Sequence, residues 1–418
     1  MNGERKLRAR WVFPVAGPPV FQGMLIVCDG RVVEISQRTA PDCEDLGNVA
    51  IVPGLVNAHS HLELSDCRTP LTPLQPFTTW IGRLLEHRRA RSALAEGTER
   101  RTPWQQGAAE LLATGTSVVG DIVDAAWHPA ALPGEGPLTI AFRELLTLSP
   151  GRIPELLSAA EAHLAASKVA GGVPAAGGGE WRPGLSPHAP YSVHPQLLRG
   201  LVDLACRWHA PVAMHVAETR AELQLLAGQG GEFQEFLQRM GVWNPEPFQG
   251  DWQIPDILRE LSRVPRGLVV HGNFLQKEDQ QLLAKSPQLS VVFCPRTHAQ
   301  FGHPPHPWRD LLNQGINVAL GTDSRASNPD LSLWGELRFL RQTFPEVSGE
   351  LLLDLGTRRG ARALGLDAML GEISPGWRAD FAVVALPDCS DPADPHELLF
   401  TPASRIVKTW IGGHPARV

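Results

Sequence analysis

The chain has 418 residues, 43% of them hydrophobic and 20% charged, a balance that excludes wholesale disorder and leaves room for a large catalytic domain with an accessory one. A formal net charge of −6 offers no basic footprint for a nucleic acid backbone, so a small molecule is the expected partner. No apolar run approaches the roughly 20 residues needed to cross a bilayer, and the stretch from Met1 to Arg10 lacks the apolar core of a signal peptide, so the expected location is cytoplasmic and away from membranes.

From about Arg8 to Val52 the chain reads as short β runs broken by Gly and Pro, among them Met24 to Cys28 and Gly30 to Ile35. The end looks similar, with Asp380 to Ala385 and Ser404 to Ile411. Residues 1–52 and 372–418 are therefore expected to pair into one small β-sandwich domain, with a hydrolase domain at 53–371 between them. In that middle part, eight apolar runs alternate with helical periodicity: Ile51 to Ala58, Ser117 to Ile122, Leu138 to Leu145, Arg182 to Ser186, Pro211 to His215, Gly267 to His271, Leu289 to Cys294 and Asn317 to Gly321. Eight parallel strands with crossover helices predict an α/β fold, a (β/α)8 TIM barrel, whose chemistry sits where the strands end. The Gly-rich segment 170–179 reads as a surface loop before the fourth strand. The stretch 228–266, carrying Phe233, Phe236, Trp243, Phe248 and Trp252, fits a lid, an oligomer contact or a packed helical insertion equally well. Cys28, Cys43, Cys67, Cys206, Cys294 and Cys389 are scattered without a CxxC pair and are expected to be reduced thiols. Symmetry statistics make a homodimer the default assembly.

Fifteen histidines carry the clearest chemical signal. Val56-Asn-Ala-His59-Ser-His61 closes the first apolar strand, and residues i and i+2 of a strand face the same way, so both imidazoles can reach one ion. Later strand ends contribute His188, then His215 with Glu218 three residues on, then His271, then Asp323. A barrel gathers these ends at one mouth. Zinc accepts imidazole nitrogen and carboxylate oxygen, and a catalytic site keeps a position open for water, so the expected ligands are His59, His61, His215 and Asp323. Such an ion lowers the pKa of its water from about 15.7 to near 7. Iron or manganese also suits this donor set. Glu218 is expected to shuttle a proton to a ring nitrogen, while His271 and Asp323 orient the nucleophile and manage its second proton. His188, Glu63, Arg296 and His298 are the expected substrate contacts, Arg296 through a bidentate pair with a substrate carboxylate.

Val52-Pro-Gly-Leu-Val-Asn-Ala-His59-Ser-His61, the His-x-x-Glu of 215 to 218, His271 and Gly321-Thr-Asp323-Ser resemble the amidohydrolase superfamily, in its branch of cytosine deaminases, guanine deaminases and chlorohydrolases. The similarity extends to Gly371-Glu-Ile-Ser-Pro-Gly-Trp-Arg-Ala-Asp380-Phe, at the return into the terminal β domain. The resemblance implies a single divalent metal on His59, His61, His215 and Asp323. Binuclear relatives place a carboxylated Lys near the position of His188, and this chain has none there. The segments His59 to Ser65 and Gly321 to Ser332 look most similar to aminodeoxyfutalosine deaminases of a route to menaquinone, which implies an adenine-type nucleoside as substrate. Deaminases of adenosine, S-adenosylhomocysteine or guanine and hydrolytic dehalogenases share this signature, and ligand-stripped relatives act as scaffolds. Where many relatives carry Pro-x-Ser-Asn after the seventh strand, this chain has Pro295-Arg-Thr-His298.

Overall fold

The computed structural model describes residues 3–38, 40, 42–94, 102–132, 134, 136–169, 179–249 and 252–417. Eight strands, Leu55–Ser60, Thr116–Val123, Leu138–Leu145, Trp181–Pro187, Val212–Val216, Gly267–His271, Leu289–Phe293 and Asn317–Leu320, lie side by side in chain order, each parallel to the next. The sheet closes on itself between the last and first strands. Ser60 bridges to Asp323 in parallel register, and the amides of Thr322 and Asp323 both donate to the His59 carbonyl at 3.1 Å. The result is the (β/α)8 barrel. Six of the strands are buried at every residue, which is why they read as largely apolar runs rather than alternating ones.

The crossover helices follow from ordinary local signals. Helix Pro195–Trp208 starts with Pro at its first position, where no amide hydrogen is needed, and buries Leu197, Leu198, Leu201, Val202, Leu204 and Ala205 on one stripe. It stops at His209, which adopts the left-handed conformation (φ 50°).

Both ends of the chain build β structure beside the barrel. A six-stranded sheet runs in the order His414–Pro415, Arg405–Ile411, Phe381–Ala385, Val49–Pro53, Trp11–Val12, Val20–Phe21. A four-stranded sheet runs Arg31–Ser36, Met24–Cys28, Arg5–Arg8, Glu44–Asp45. They share one apolar cluster, Leu7, Leu25 and Val27 from the smaller sheet meeting Ile51, Phe381, Val383 and Trp410 of the larger, so the two form a sandwich.

The expected first strand, Ile51 to Ala58, is in fact two strands in two sheets. Val49–Pro53 pairs with Phe381–Ala385, and Leu55–Ser60 opens the barrel. Gly54 is the joint: its amide donates to the Asp380 carbonyl at 3.0 Å, and a Cβ there would stand 2.2 Å from Ser117 Oγ. The stretch 228–266 is a packed helical insertion, with helices Glu232–Arg239 and Ile254–Leu261. Phe233 is fully buried and stacks on Tyr191 at 4.2 Å, and Trp243 stacks on Phe248 at 5.2 Å. The expected Gly-rich loop lies, at 170–178, outside the described residues. No helix among the described residues is long and apolar enough to cross a membrane.

Candidate active site

His59 and His61 leave the end of the first strand, His215 the fifth, His271 the sixth and Asp323 the turn after the eighth, and the closed barrel brings them together. His61 Nε2 lies 3.4 Å from His215 Nε2, and Asp323 Oδ1 lies 3.6 Å from His61 Nε2 and 3.7 Å from His59 Nε2. The His59 and His215 ring centroids are 5.0 Å apart, and the His271 ring stands 5.5 Å from that of His215. Three non-glycine residues at these strand ends, Ala217, His271 and Asp323, take positive φ (53°, 69° and 55°). Such a conformation is costly for a side chain and persists where the surroundings enforce it.

The enforcing contacts are specific. The His215 side chain donates from Nδ1 to the His188 carbonyl at 2.8 Å; a carbonyl only accepts, so Nδ1 carries the hydrogen and Nε2 presents its lone pair to the cluster. Ser327 Oγ donates to Asp323 Oδ2 at 2.7 Å, which turns Oδ1 toward the imidazoles. Asn57 ties the first strand to the eighth, accepting from the amides of His59 and Thr322 and donating to Thr322 Oγ1. His59 has both ring nitrogens, and His61 its Nδ1, buried without a hydrogen-bond partner in the protein. Burial, with the neighbouring imidazoles adding, holds His61, His215 and His271 well below the ordinary histidine range, so they are neutral, as ligands must be.

This donor set fits a divalent cation. Three imidazoles and one carboxylate oxygen face one another, with separations of 3.4, 3.6 and 3.7 Å against the roughly 3.3 Å expected between ligand atoms on a tetrahedral zinc with bonds of about 2.0–2.1 Å. The orphaned buried nitrogens would otherwise carry an uncompensated desolvation cost.

Glu218 stands beside this set. Its Oε1 lies 3.5 Å from His271 Nε2, and burial, reinforced by the charges of Asp323 and Glu222, pushes its pKa well above the usual carboxylate range. Behind it, both oxygens of Glu222 accept backbone amides, Ala217 N at 2.8 Å and Glu218 N at 3.0 Å. Glu222 was not singled out in the sequence, although Thr219-Arg-Ala-Glu222 has the spacing of a helix capping box and Thr219 does cap helix Arg220–Leu226. Its carboxylate reaches further back than that motif implies.

The expected substrate contacts fare differently. His188 is at the site: Nδ1 bonds Ser192 Oγ at 2.6 Å, Nε2 stands 3.9 Å from Glu144 Oε1, and burial brings its pKa down to about 3. Glu144, from the end of the third strand, was missed because a lone Glu in a strand carries no motif. Glu63 is buried with its carboxylate clamped by Arg88 and Arg91 of helix Phe77–Leu94, so it anchors that helix to the turn after His61. Arg296 is not brought to the cluster as a free cation. Its guanidinium bonds the fully buried Glu336 at 2.7 Å and Asp330 at 2.7 Å, and Glu336 in turn accepts from Asn328, which donates to the Thr322 carbonyl. It braces the turn that carries Asp323. His298 has both ring nitrogens engaged, by Asn273 Oδ1 at 3.0 Å and the Pro304 carbonyl at 2.8 Å, while Asn273 donates to the Glu218 carbonyl. Both residues support the loops of the site through these partners.

Residues 50–416 match the model of the amidohydrolase family. Over 370 residues the chain is 29% identical to aminodeoxyfutalosine deaminase of Deinococcus radiodurans, covering 84% of this chain and 81% of that protein. It is 27% identical over 407 residues to 5-methylthioadenosine/S-adenosylhomocysteine deaminase of Syntrophobacter fumaroxidans, covering 92% of this chain and 84% of the relative. Its fold superimposes on that of Helicobacter pylori aminofutalosine deaminase with a TM-score of 0.81 at 23% identity, over 99% of this chain and 100% of the other. The match runs from the strand preceding the His59–His61 pair to the last terminal strands, and the chain belongs to the amidohydrolase family.

Proposed function

We propose that this enzyme hydrolytically deaminates an adenine-type nucleoside, with 6-amino-6-deoxyfutalosine as its substrate and futalosine and ammonia as products. The observation that carries the reading is the placement of Glu218: a buried carboxylate with a raised pKa, 3.5 Å from His271 and outside the donor set of His59, His61, His215 and Asp323. Those four residues would hold a divalent ion, zinc by its preference for imidazole and carboxylate, and such an ion would supply a water acidic enough to serve as nucleophile at neutral pH.

The chain's own groups then manage protons. Water adds to C6 of the purine while Glu218 delivers a proton to N1, so that negative charge does not build up on the ring. One proton of the adding water returns Glu218 to its acid form, the remaining hydroxyl proton of the adduct passes to the amino group, and collapse of the tetrahedral adduct expels ammonia and leaves a carbonyl. His271, neutral because it is buried, faces Glu218 and orients the proton path; Asp323 Oδ1 is directed at the same space. His188, with Glu144 Oε1 3.9 Å from its Nε2, is the residue to which contact with the nucleoside is assigned.

The similarity to the D. radiodurans enzyme favours the futalosine-type nucleoside, and that to the S. fumaroxidans enzyme supports methylthioadenosine or S-adenosylhomocysteine as the second reading. Metal-replete protein incubated with aminodeoxyfutalosine, adenosine, methylthioadenosine, S-adenosylhomocysteine and guanine separates them by ammonia release and the adenine-to-hypoxanthine absorbance change. The highest kcat/KM is expected for aminodeoxyfutalosine, and no turnover of any adenine nucleoside would end the proposal. Glu218→Gln is expected to keep its metal and lose about 10²–10⁴-fold in kcat; near-wild-type turnover would remove Glu218 from the proton path.

A further inference from the structure

Asp66, Cys67 and His87 form a second cluster of metal-type donors, apart from the one described above. Asp66 and Cys67 follow the short turn Leu62–Leu64, and His87 projects from helix Phe77–Leu94. Cys67 Sγ lies 3.4 Å and Asp66 Oδ1 3.2 Å from one and the same atom, His87 Nε2, and the donor atoms of all three residues lie within 4.8 Å of one another.

An imidazole nitrogen carries either one hydrogen or one lone pair, so it cannot make a full hydrogen bond to a thiol and a carboxylate at once. A cation shared by the three satisfies all of them. With zinc bonds of about 2.3 Å to sulfur and about 2.0–2.1 Å to nitrogen and oxygen, tetrahedral coordination sets N···S near ~3.5 Å and N···O near ~3.3 Å. The observed 3.4 and 3.2 Å agree with both edges. We propose that Asp66, Cys67 and His87 hold a second divalent cation of zinc type, with water at the fourth position and a structural rather than a chemical role.

The surroundings suit such a role. Cys67 is buried while the Asp66 and His87 side chains are 25% and 26% exposed, which leaves one side open to solvent for the water ligand. A carboxylate and a thiolate together offset a divalent charge. Arg91 stands 3.6 Å from Asp66 Oδ1, but its hydrogen bonds go to Glu63. The Cys67 carbonyl accepts from Arg325 Nε at 2.8 Å, and Arg325 follows Asp323 by two residues. A cation here would therefore staple the first helix to the two loops that carry His61 and Asp323.

Cobalt(II) titration of the metal-free full chain tests this, because the cluster of His59, His61, His215 and Asp323 contains no sulfur. Wild type is expected to take up two equivalents, the second bringing a thiolate-to-cobalt charge-transfer band in the near ultraviolet. Cys67→Ser should bind one equivalent without that band, and His87→Ala should weaken the second site by at least ~10-fold, the low end for losing even a supporting partner. If Cys67→Ser does not fold, Asp66→Asn at the partly exposed position must show the same loss. Uptake of a single equivalent by wild type, or a thiolate band that persists in Cys67→Ser, would overturn the assignment.

Discussion

Ser327 shows how much of the His59–His61–His215–Asp323 cluster is held from outside it. Its hydroxyl fixes one oxygen of Asp323 at 2.7 Å and itself lies within a buried group of Thr297 and Ser324. Supporting partners of this kind typically account for 10–100-fold in metal affinity. Ser327→Ala should therefore fold normally and weaken metal binding by about 10-fold in chelator competition; unchanged affinity would mean that the backbone alone orients Asp323. Glu222 supports Glu218 in the same manner. Gln at 222 has one acceptor where the carboxylate has two, so one of the amides of Ala217 and Glu218 would face a donor. Loss of a hydrogen bond to a charged acceptor is worth roughly 1.5–3 kcal/mol, and if that is expressed in the placement of Glu218 then kcat of Glu222→Gln should fall by ~10-fold or more. KM should change little, and the acid limb of the pH–rate profile should move. A variant that loses stability but keeps kcat and its pH profile would assign Glu222 to the fold alone. The histidines and Asp323 were legible in the sequence because each ends an apolar strand, and strand ends meet in a barrel. Ser327, Glu222 and Glu144 were not, since a hydroxyl or carboxylate becomes a partner only through tertiary proximity. The partners of Arg296 and His298 were not legible either, because position along the chain does not say which way a side chain leaves the turn after a strand; Glu336 and Asn273 are distant in sequence.

At the level of elements, the alternation of apolar runs and helical stripes was enough to place all eight barrel strands to within a few residues of where they lie. The exception is instructive. The run from Val49 to Val56 is apolar on both sides of Pro53-Gly54, so no change of hydrophobic pattern marks the point at which the chain leaves the sandwich and enters the barrel. Only Gly54 marks it, and for a steric reason: the Cβ of any other residue would fall 2.2 Å from Ser117 Oγ and 2.6 Å from Ser117 Cβ, on the second barrel strand. Overpacking of a rigid site typically costs 1–3 kcal/mol. Gly54→Ala should lower stability by about that amount, measured by denaturant unfolding, and Gly54→Ala/Ser117→Gly should recover most of it. If the double variant were no more stable than the single one, close approach to Ser117 would not be the reason for glycine. The six-stranded sheet was foreseen in outline from β runs at both ends, but the parallel pairing of Trp11–Val12 with Val49–Pro53 has no local signature.

Across the whole molecule, the concentration of buried titratable groups around the barrel mouth makes stability depend on pH in a definite direction. His163, whose Nε2 bonds the Ala141 carbonyl at 2.9 Å, is brought down to about 4 by burial with Arg143 adding. His306, stacked on Phe293 and bonded to the His271 carbonyl, is brought down to about 3 by burial with His298 and His303 adding. Each is a base with a folded pKa below the unfolded value of about 6.5, so its contribution is fully present above that pH and is lost as pH falls toward 4 and 3. Glu222, raised to about 7 by burial against three backbone amides, acts in the opposite sense: its contribution is complete below about 4.5 and is lost as pH rises through 7. Between pH 6.5 and 4 the two histidines bind up to one more proton each in the unfolded chain, which steepens the loss of stability by up to about 1.4 kcal/mol per pH unit for each. The metal-free double variant His163→Gln/His306→Gln should therefore show a shallower acid limb than metal-free wild type in denaturant unfolding at stepped pH, with the two curves parallel above pH 7. Equal acid slopes would mean that both imidazoles gain their proton within the folded state, by opening of the packing around Phe293 and around helix Ile153–Val169, which carries His163.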